Sequence, residues 1–165
     1  MSDTPRAPAE LDLGDSGVVR RIAEAIATLV PHNRELGIRL VECDGDSVTL
    51  ALPYSPRLVG NPATGVLHGG AITTLLDGAS GTAVFVALRA PIPVATLDLR
   101  IDYLRPATPG VEVHARARCT KVTKNVAFVR CEAYHPEQVD DLVAVASGTF
   151  VIFRGSSLGG RGKTP

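Results

Sequence analysis

The sequence predicts an α+β domain in which one long apolar helix packs on a twisted antiparallel sheet. Three observations predict it. The stretch Gly65 to Arg89, GVLHGGAITTLLDGASGTAVFVALR, carries Ile72, Leu75, Leu76, Ala79, Ala83 and Val86 at helical spacing. Four long strand-like segments follow it between Leu97 and Phe153, and two shorter ones precede it, about six in all. Long consecutive antiparallel strands twist and curl, and a single apolar helix is available to fill the concave face.

Taken in order, residues 1–15 are rich in Pro, Ala and Asp without periodicity and are expected to be a disordered tail. This acidic segment has no hydrophobic stretch, so it is not expected to act as a signal peptide. Ser16 can cap an extra N-terminal helix whose apolar stripe is Val19, Ile22, Ala23, Ile26, Leu29 and Val30, ended by Pro31 and His32. The stripe must pack on something, and the outside of the sheet or the domain edge is expected. Gly37 to Cys43 and Ser47 to Leu52 read as strands around the turn Asp44-Gly45-Asp46. Pro53 to Thr64, with three prolines, a Gly and an Asn, is expected to be a loop.

The central helix should start near His68 and run about 20 residues. Gly78 and Gly81 each cost roughly 1 kcal/mol against Ala in a helix, and Asp77 is a poor interior residue. Local violations of this kind are expected where a site or a close contact demands them. Thr73, Asp77, Ser80 and Gly81 fall on a second side of the helix. Small residues at 71, 78 and 81 would admit another backbone.

Beyond the helix, Leu97, Leu99, Ile101 and Tyr103 alternate with Asp98, Arg100 and Asp102, a strand with one wet face. Val111 to Cys119, Val126 to Tyr134 and Leu142 to Phe153 are the remaining strands, with a turn at His135 to Asp141. Residues 155–165 are expected to be a flexible tail, which leaves 16–154 as a single domain.

Composition narrows the function. The chain has 165 residues with 17 Lys plus Arg against 17 Asp plus Glu, and no basic run or aromatic-basic patch, which argues against nucleic acid as a partner. The apolar runs read as too interrupted by Gly and charge to span a bilayer, so no membrane partner and a cytoplasmic location are expected. Cys43, Cys119 and Cys131 fit no metal-ligand spacing. Cys119 and Cys131 flank a hairpin and can face each other across it, and thiols rather than a bridge are expected in a reducing cytosol.

NPATGVLHGGAITTLLDGASG resembles the signature of the PaaI-type acyl-CoA thioesterases of the hot-dog superfamily. That pattern is an Asn, then G-x-[ILV]-H-G-G, with an Asp nine residues after the His. Gly65, His68, Gly69, Gly70 and Asp77 all fit it, and Thr96 to Ala107, TLDLRIDYLRPA, resembles the strand after the helix in that family. The likeness spans roughly Leu36 to Phe153. It implies a hot-dog fold, in which the curved sheet wraps the central helix, and acyl-CoA as substrate. No metal or redox cofactor is implied, since coenzyme A arrives as part of the substrate.

The resemblance also implies roles. Glycines at a helix start leave free N–H groups at the positive end of the macrodipole, where a carbonyl can approach. By resemblance the Gly69 N–H is the oxyanion donor, with Gly70 beside it. Asp77 is then the base that activates water or the nucleophile that forms an anhydride; both stay open. His68 is a positioner whose ring bonds the preceding loop, since no nucleophile elbow exists for a Ser-His-Asp triad. The family's Asn lies six residues before the His, whereas Asn61 lies seven before it, so Asn61 or Thr64 fills that role. Thr96 matches a Ser or Thr that supports the water, and Lys124 a basic residue near the coenzyme A nucleotide.

A geometric argument stands apart from the family. Gly69 and Asp77 are eight residues apart, which on a helix is roughly 12 Å. One thioester cannot touch both. A second, antiparallel helix from a two-fold partner would bring them together, so a homodimer with a shared site is expected, paired further into a homotetramer. Two other functions compete: a hot-dog dehydratase or hydratase on a CoA ester, which needs a His beside the Asp, and a non-catalytic acyl-CoA-binding protein, which would not need Asp77.

Overall fold

The computed structural model describes residues 16–45, 47–90 and 92–154. The expected tails at 1–15 and 155–165 lie outside the described residues. In order, the elements are α1 (Ser16–Leu29), α2 (Pro31–Glu35), β1 (Arg39–Cys43), β2 (Ser47–Leu52), β3 (Val59–Asn61), β4 (Val66–Leu67), α3 (Gly69–Leu88), β5 (Val94–Tyr103), β6 (Val113–Val122), β7 (Val126–Tyr134) and β8 (Ala144–Ile152). Six of the strands form one antiparallel sheet in the order β1-β2-β6-β7-β8-β5, and β3 and β4 form a separate pair. This is the expected α+β arrangement, with α3 packed on β2, β5, β6, β7 and β8.

The core follows from period two in the strands and the apolar faces of α3. Val113, Ala115 and Ala117 of β6, Ala127, Val129, Cys131 and Ala133 of β7, and Ala144, Ala146, Phe150 and Ile152 of β8 are buried. Most of these are alanine, so the sheet can curl closely onto the helix. Ile72, Leu75, Leu76, Ala79, Ala83 and Val86 are all buried on α3, as the spacing predicts. Ser80, expected on the other side, is buried too. It stands by Cys131, where burial pushes the thiol up to about 12 while the Ser80 hydroxyl works the other way. α3 is long and apolar enough to cross a membrane by length and composition alone, contrary to the reading of its runs as too interrupted. In this fold the sheet covers those apolar faces.

Several expectations are corrected by packing. α1 lies on α3 and the edge strand β1, so of the two expected places it takes the edge and not the outside of the sheet. Val19, Ala23 and Ala27 make its buried face, whereas Leu29 is 74% exposed. Pro31 opens α2 as well as closing α1, because proline suits the first helical turn. The loop before α3 contains a short 3-10 turn at Pro56–Leu58 and the β3–β4 hairpin. Cys119 pairs with Val129 and Cys131 with Ala117, so the two thiols do not face each other, and all three cysteines are free.

β5 is an edge strand with a bulge that matters for the site. Its register against β8 shifts between Thr96 and Asp98. An extra residue in a strand reverses the alternation beyond it. Leu97 is therefore lost from the apolar set and is 59% exposed, while Val94, Thr96 and Leu99 line one groove over α3.

Candidate active site

The chain reaches α3 through the β3–β4 hairpin. Gly65 closes its turn with φ +73°, a conformation that favours glycine, and the Tyr54 hydroxyl donates to the Gly65 carbonyl at 2.9 Å. A Cβ on Gly60 would stand 2.8 Å from Cα of His68, so the hairpin packs directly against the helix start. The His68 N–H donates to the Leu58 carbonyl at 2.8 Å, which ties that start to the hairpin.

His68 is the N-cap of α3, in extended conformation, and its Nδ1 accepts from the Gly70 N–H at 2.9 Å. The ring thus caps the helix and does not bond the preceding loop, as had been expected; the backbone makes the loop contact. An Nδ1 that accepts an amide proton leaves Nε2 to carry the ring's own proton in the neutral form. With the Gly70 N–H taken, the Gly69 N–H has no partner among the described residues. Gly70 therefore serves the cap.

One stripe of α3 lines a groove of about 560 Å³: Thr73, Thr74, Asp77, Gly78, Gly81 and Phe85. That volume is in the usual range for small-molecule sites. α1 and α2 form one wall and β5 the other. Asp77 stands among His32, Asn33, Thr73, Thr74 and Thr96, and beyond it along α3 the lining is mainly apolar, with Gly81, Phe85, Val94 and Phe150. The Thr96 hydroxyl donates to Asp77 Oδ1 at 2.8 Å.

Gly78 faces Asn33 of the same chain, since a Cβ there would come 3.3 Å from the Asn33 amide nitrogen. It spaces α2 rather than a second chain. Gly81 forms part of the groove floor, its nearest neighbour being the Phe150 ring at 3.7 Å from a built Cβ.

Gly69 opens elsewhere. It lines a second hollow of about 450 Å³ with Val66, Ile72, Tyr103, Leu104 and Pro106. Gly69 and Asp77, on one helix, thus face different depressions of one chain. Asn61 and Thr64 reach neither depression. Asn61 Oδ1 accepts from the Ala63 N–H at 3.1 Å, and the Thr64 hydroxyl donates to the Asn61 carbonyl at 3.3 Å, so both side chains bind the hairpin turn. Lys124 is exposed in the β6–β7 turn, its carbonyl accepting from Arg154 Nε at 2.6 Å, and lines neither hollow.

Two contacts near the helix start were not legible in sequence. The Tyr103 hydroxyl donates to the Gly69 carbonyl at 2.8 Å and lies 2.9 Å from the Thr73 hydroxyl. Tyr103 reads in sequence only as one member of an alternating strand. No local signal links residues 34 positions apart.

The shifted titratable groups lie away from both hollows. For Glu112, burial acts upward but is outweighed by His114 and Arg39, which hold its carboxyl below the usual range. Burial raises the Cys119 thiol against bonds to the backbone at Lys121 and Phe128. Among the described residues no cluster of three or more His, Cys, Asp or Glu could hold a metal ion.

Residues 64–141 match the family model described as the thioesterase superfamily. The chain is 31% identical over 147 residues to the medium/long-chain acyl-CoA thioesterase YigI of Escherichia coli K12, covering 81% of this chain and 93% of that protein. A crystal structure from Pseudomonas aeruginosa is similar at 39% identity and TM-score 0.73, over 81% of this chain and 98% of that one. The E. coli PaaI protein of the phenylacetic acid degradation operon superposes with TM-score 0.74 at 21% identity, covering 86% and 97%, and thus shares the fold.

Proposed function

The chain belongs to the thioesterase superfamily as a PaaI-type hot-dog thioester hydrolase, and from that premise we propose that it hydrolyses acyl-CoA to the free acid and coenzyme A. The observation that carries the mechanism is the separation of Gly69 and Asp77 into two hollows of one chain. Each chain then supplies half of two sites. The Gly69 N–H of one chain stabilises the oxyanion, and Asp77 of its partner, held by Thr96, drives the attack.

Two routes conserve atoms. In one, Asp77 takes a proton from water as the oxygen adds to the thioester carbonyl, and collapse breaks the C–S bond, coenzyme A leaving as the thiol with the proton that Asp77 returns. In the other, the Asp77 carboxylate attacks the carbonyl, expels the thiolate and forms a mixed anhydride that water cleaves. The acyl group lies on the apolar end of the groove, beyond Asp77. The name of the YigI relative, a medium/long-chain enzyme, agrees with a groove that continues past Asp77 to Phe85.

β5 supports the pairing of chains. It is a ten-residue edge strand with Leu97 and Tyr103 exposed and Leu104 exposed just beyond it, and a long unpaired edge is a template for another strand. A tetramer built from two such dimers and a cytoplasmic location complete the reading. Asn61 and Thr64 act by shaping the hairpin that seats His68, and Lys124 is available to the nucleotide from the β6–β7 turn. The dehydratase and binding-protein alternatives are not favoured by family membership.

The test is free-thiol release from short, medium, long and aromatic acyl-CoAs. The wild type should hydrolyse at least one class, and Asp77→Ala should lower kcat by about a hundredfold or more with the oligomer intact. Wild-type rates in Asp77→Ala would reject the mechanism.

A further inference from the structure

We infer that Tyr103 and Thr73 are positioning residues, which hold the carbonyl side of Gly69 and so limit the backbone rotation that would turn its N–H away from the reacting carbonyl. The inference rests on Gly69 as oxyanion donor and adds what keeps that donor aimed. Three short contacts form a triangle: Tyr103 hydroxyl to Gly69 carbonyl at 2.8 Å, Thr73 hydroxyl to the same carbonyl at 3.1 Å, and the two hydroxyls 2.9 Å apart.

Proton counting makes the triangle informative. Each hydroxyl has one proton to give, so two protons serve three contacts. The hydroxyls cannot both donate to each other. Every arrangement that uses both protons within the triangle therefore sends at least one to the Gly69 carbonyl. Across the same peptide, the Gly70 N–H is held by His68 Nδ1 at 2.9 Å. The peptide between Gly69 and Gly70 is thus held on both sides; the Gly69 N–H belongs to the peptide before it, whose His68 carbonyl accepts from the Ala71 N–H at 3.0 Å, so both peptides flanking the Gly69 Cα are held.

The pins answer a specific weakness. Gly69 is the first residue of the helix, where the N–H has no intrahelical partner, and two successive glycines are the most permissive backbone a chain can have. Left alone, that turn would sample orientations. An oxyanion donor acts through prior alignment, and a misplacement of about 1 Å can cost about a hundredfold in rate. A Cβ on Gly69 would lie 3.3 Å from the Tyr103 hydroxyl, so the tyrosine also occupies the space that glycine leaves. β5 thus serves both halves of the chemistry, Thr96 touching Asp77 and Tyr103 touching Gly69.

The experiment compares wild type, Tyr103→Phe, Thr73→Val, Thr73→Ser and the Tyr103→Phe/Thr73→Val double variant, with octanoyl-CoA as the probe. Tyr103→Phe keeps the ring, so the melting temperature monitors the fold. Tyr103→Phe is expected to lower kcat about tenfold with KM within about twofold, the double variant to fall further, and Thr73→Ser to keep wild-type kcat. Infrared spectra of carbonyl-labelled octanoyl-CoA bound to Asp77→Asn should show a carbonyl stretch lowered by the donor. Adding Tyr103→Phe should reverse part of that lowering. Wild-type kcat and an unmoved stretch in Tyr103→Phe would overturn the inference, as would a change confined to KM or to melting. Activity of Asp77→Ala at wild-type level would instead reject the underlying mechanism, so the two failures are separable.

Discussion

The Thr96 hydroxyl donates to Asp77 Oδ1 at 2.8 Å, joining the edge strand to the only carboxylate on the central helix. A β-bulge makes the contact possible, because without the extra residue Thr96 and Leu99 would face opposite sides. One oxygen of Asp77 is thereby oriented, and in the proposed mechanism the other meets water or the thioester. Thr96→Val removes the hydrogen bond at nearly constant volume and is expected to lower kcat about tenfold, whereas Thr96→Ser keeps it and should stay within about twofold. Steady-state kinetics on the same acyl-CoA checks this. Equal kcat in both variants would leave Asp77 oriented by something else.

The proposed sharing of the site between two chains makes a complementation prediction. Gly69→Pro removes the N–H, and proline fits the first helical turn; His68, with φ −64° and ψ 134°, already has the extended conformation that a following proline requires. Asp77→Ala removes the carboxylate. Each variant alone should be nearly inactive. Co-expressed, they should form mixed dimers in which one site has both groups intact. Random pairing makes about half the dimers mixed with one good site of two, so activity should return to roughly a quarter of wild type. Native mass spectrometry confirms the mixing. Confirmed mixed dimers without recovery would place the site within one chain.

Gly81 is expected to set acyl length. It lies four residues beyond Asp77, one helical turn toward Phe85, on the apolar half of the groove. A built Cβ there meets only the Phe150 ring at 3.7 Å, an ordinary contact, so the first carbon of a side chain is accommodated without a clash. Gly81→Val should narrow the groove and lower kcat/KM for dodecanoyl-CoA about tenfold more than for butanoyl-CoA. Competition between the two substrates, followed by thiol release and product analysis, measures the ratio. An unchanged ratio would mean that the acyl chain takes another path.

Period and composition made the elements legible in sequence. Apolar spacing at 3.6 along Ile72 to Val86 and at 2 along Ala144 to Ile152 reports burial directly, because each side chain's face is set by local backbone geometry. Gly78, Gly81 and Asp77 stand out for a related reason: they weaken a helix, and such weakness needs a purpose, while Gly69 and Gly70 mark where the helix starts. The His68 cap follows the same local logic, although its direction, forward to Gly70 rather than back to the loop, needed atomic geometry.

What only the tertiary structure decided depends on residues far apart in the chain. The bulge at Leu97 changes which residues of β5 face α3, and alternation read from sequence has no way to count an extra residue. Gly78 reads as room for a second helix until Asn33 is found against it. Asn61 and Thr64 are read from sequence for a site role, and only the fold shows that Asn61 Oδ1 and the Thr64 hydroxyl also bind the hairpin turn. Tyr103 joins Gly69 across 34 positions, and Thr96 joins Asp77 across 19. Local sequence determines which way a side chain leaves its own backbone; the closing of the sheet around α3 determines what it meets.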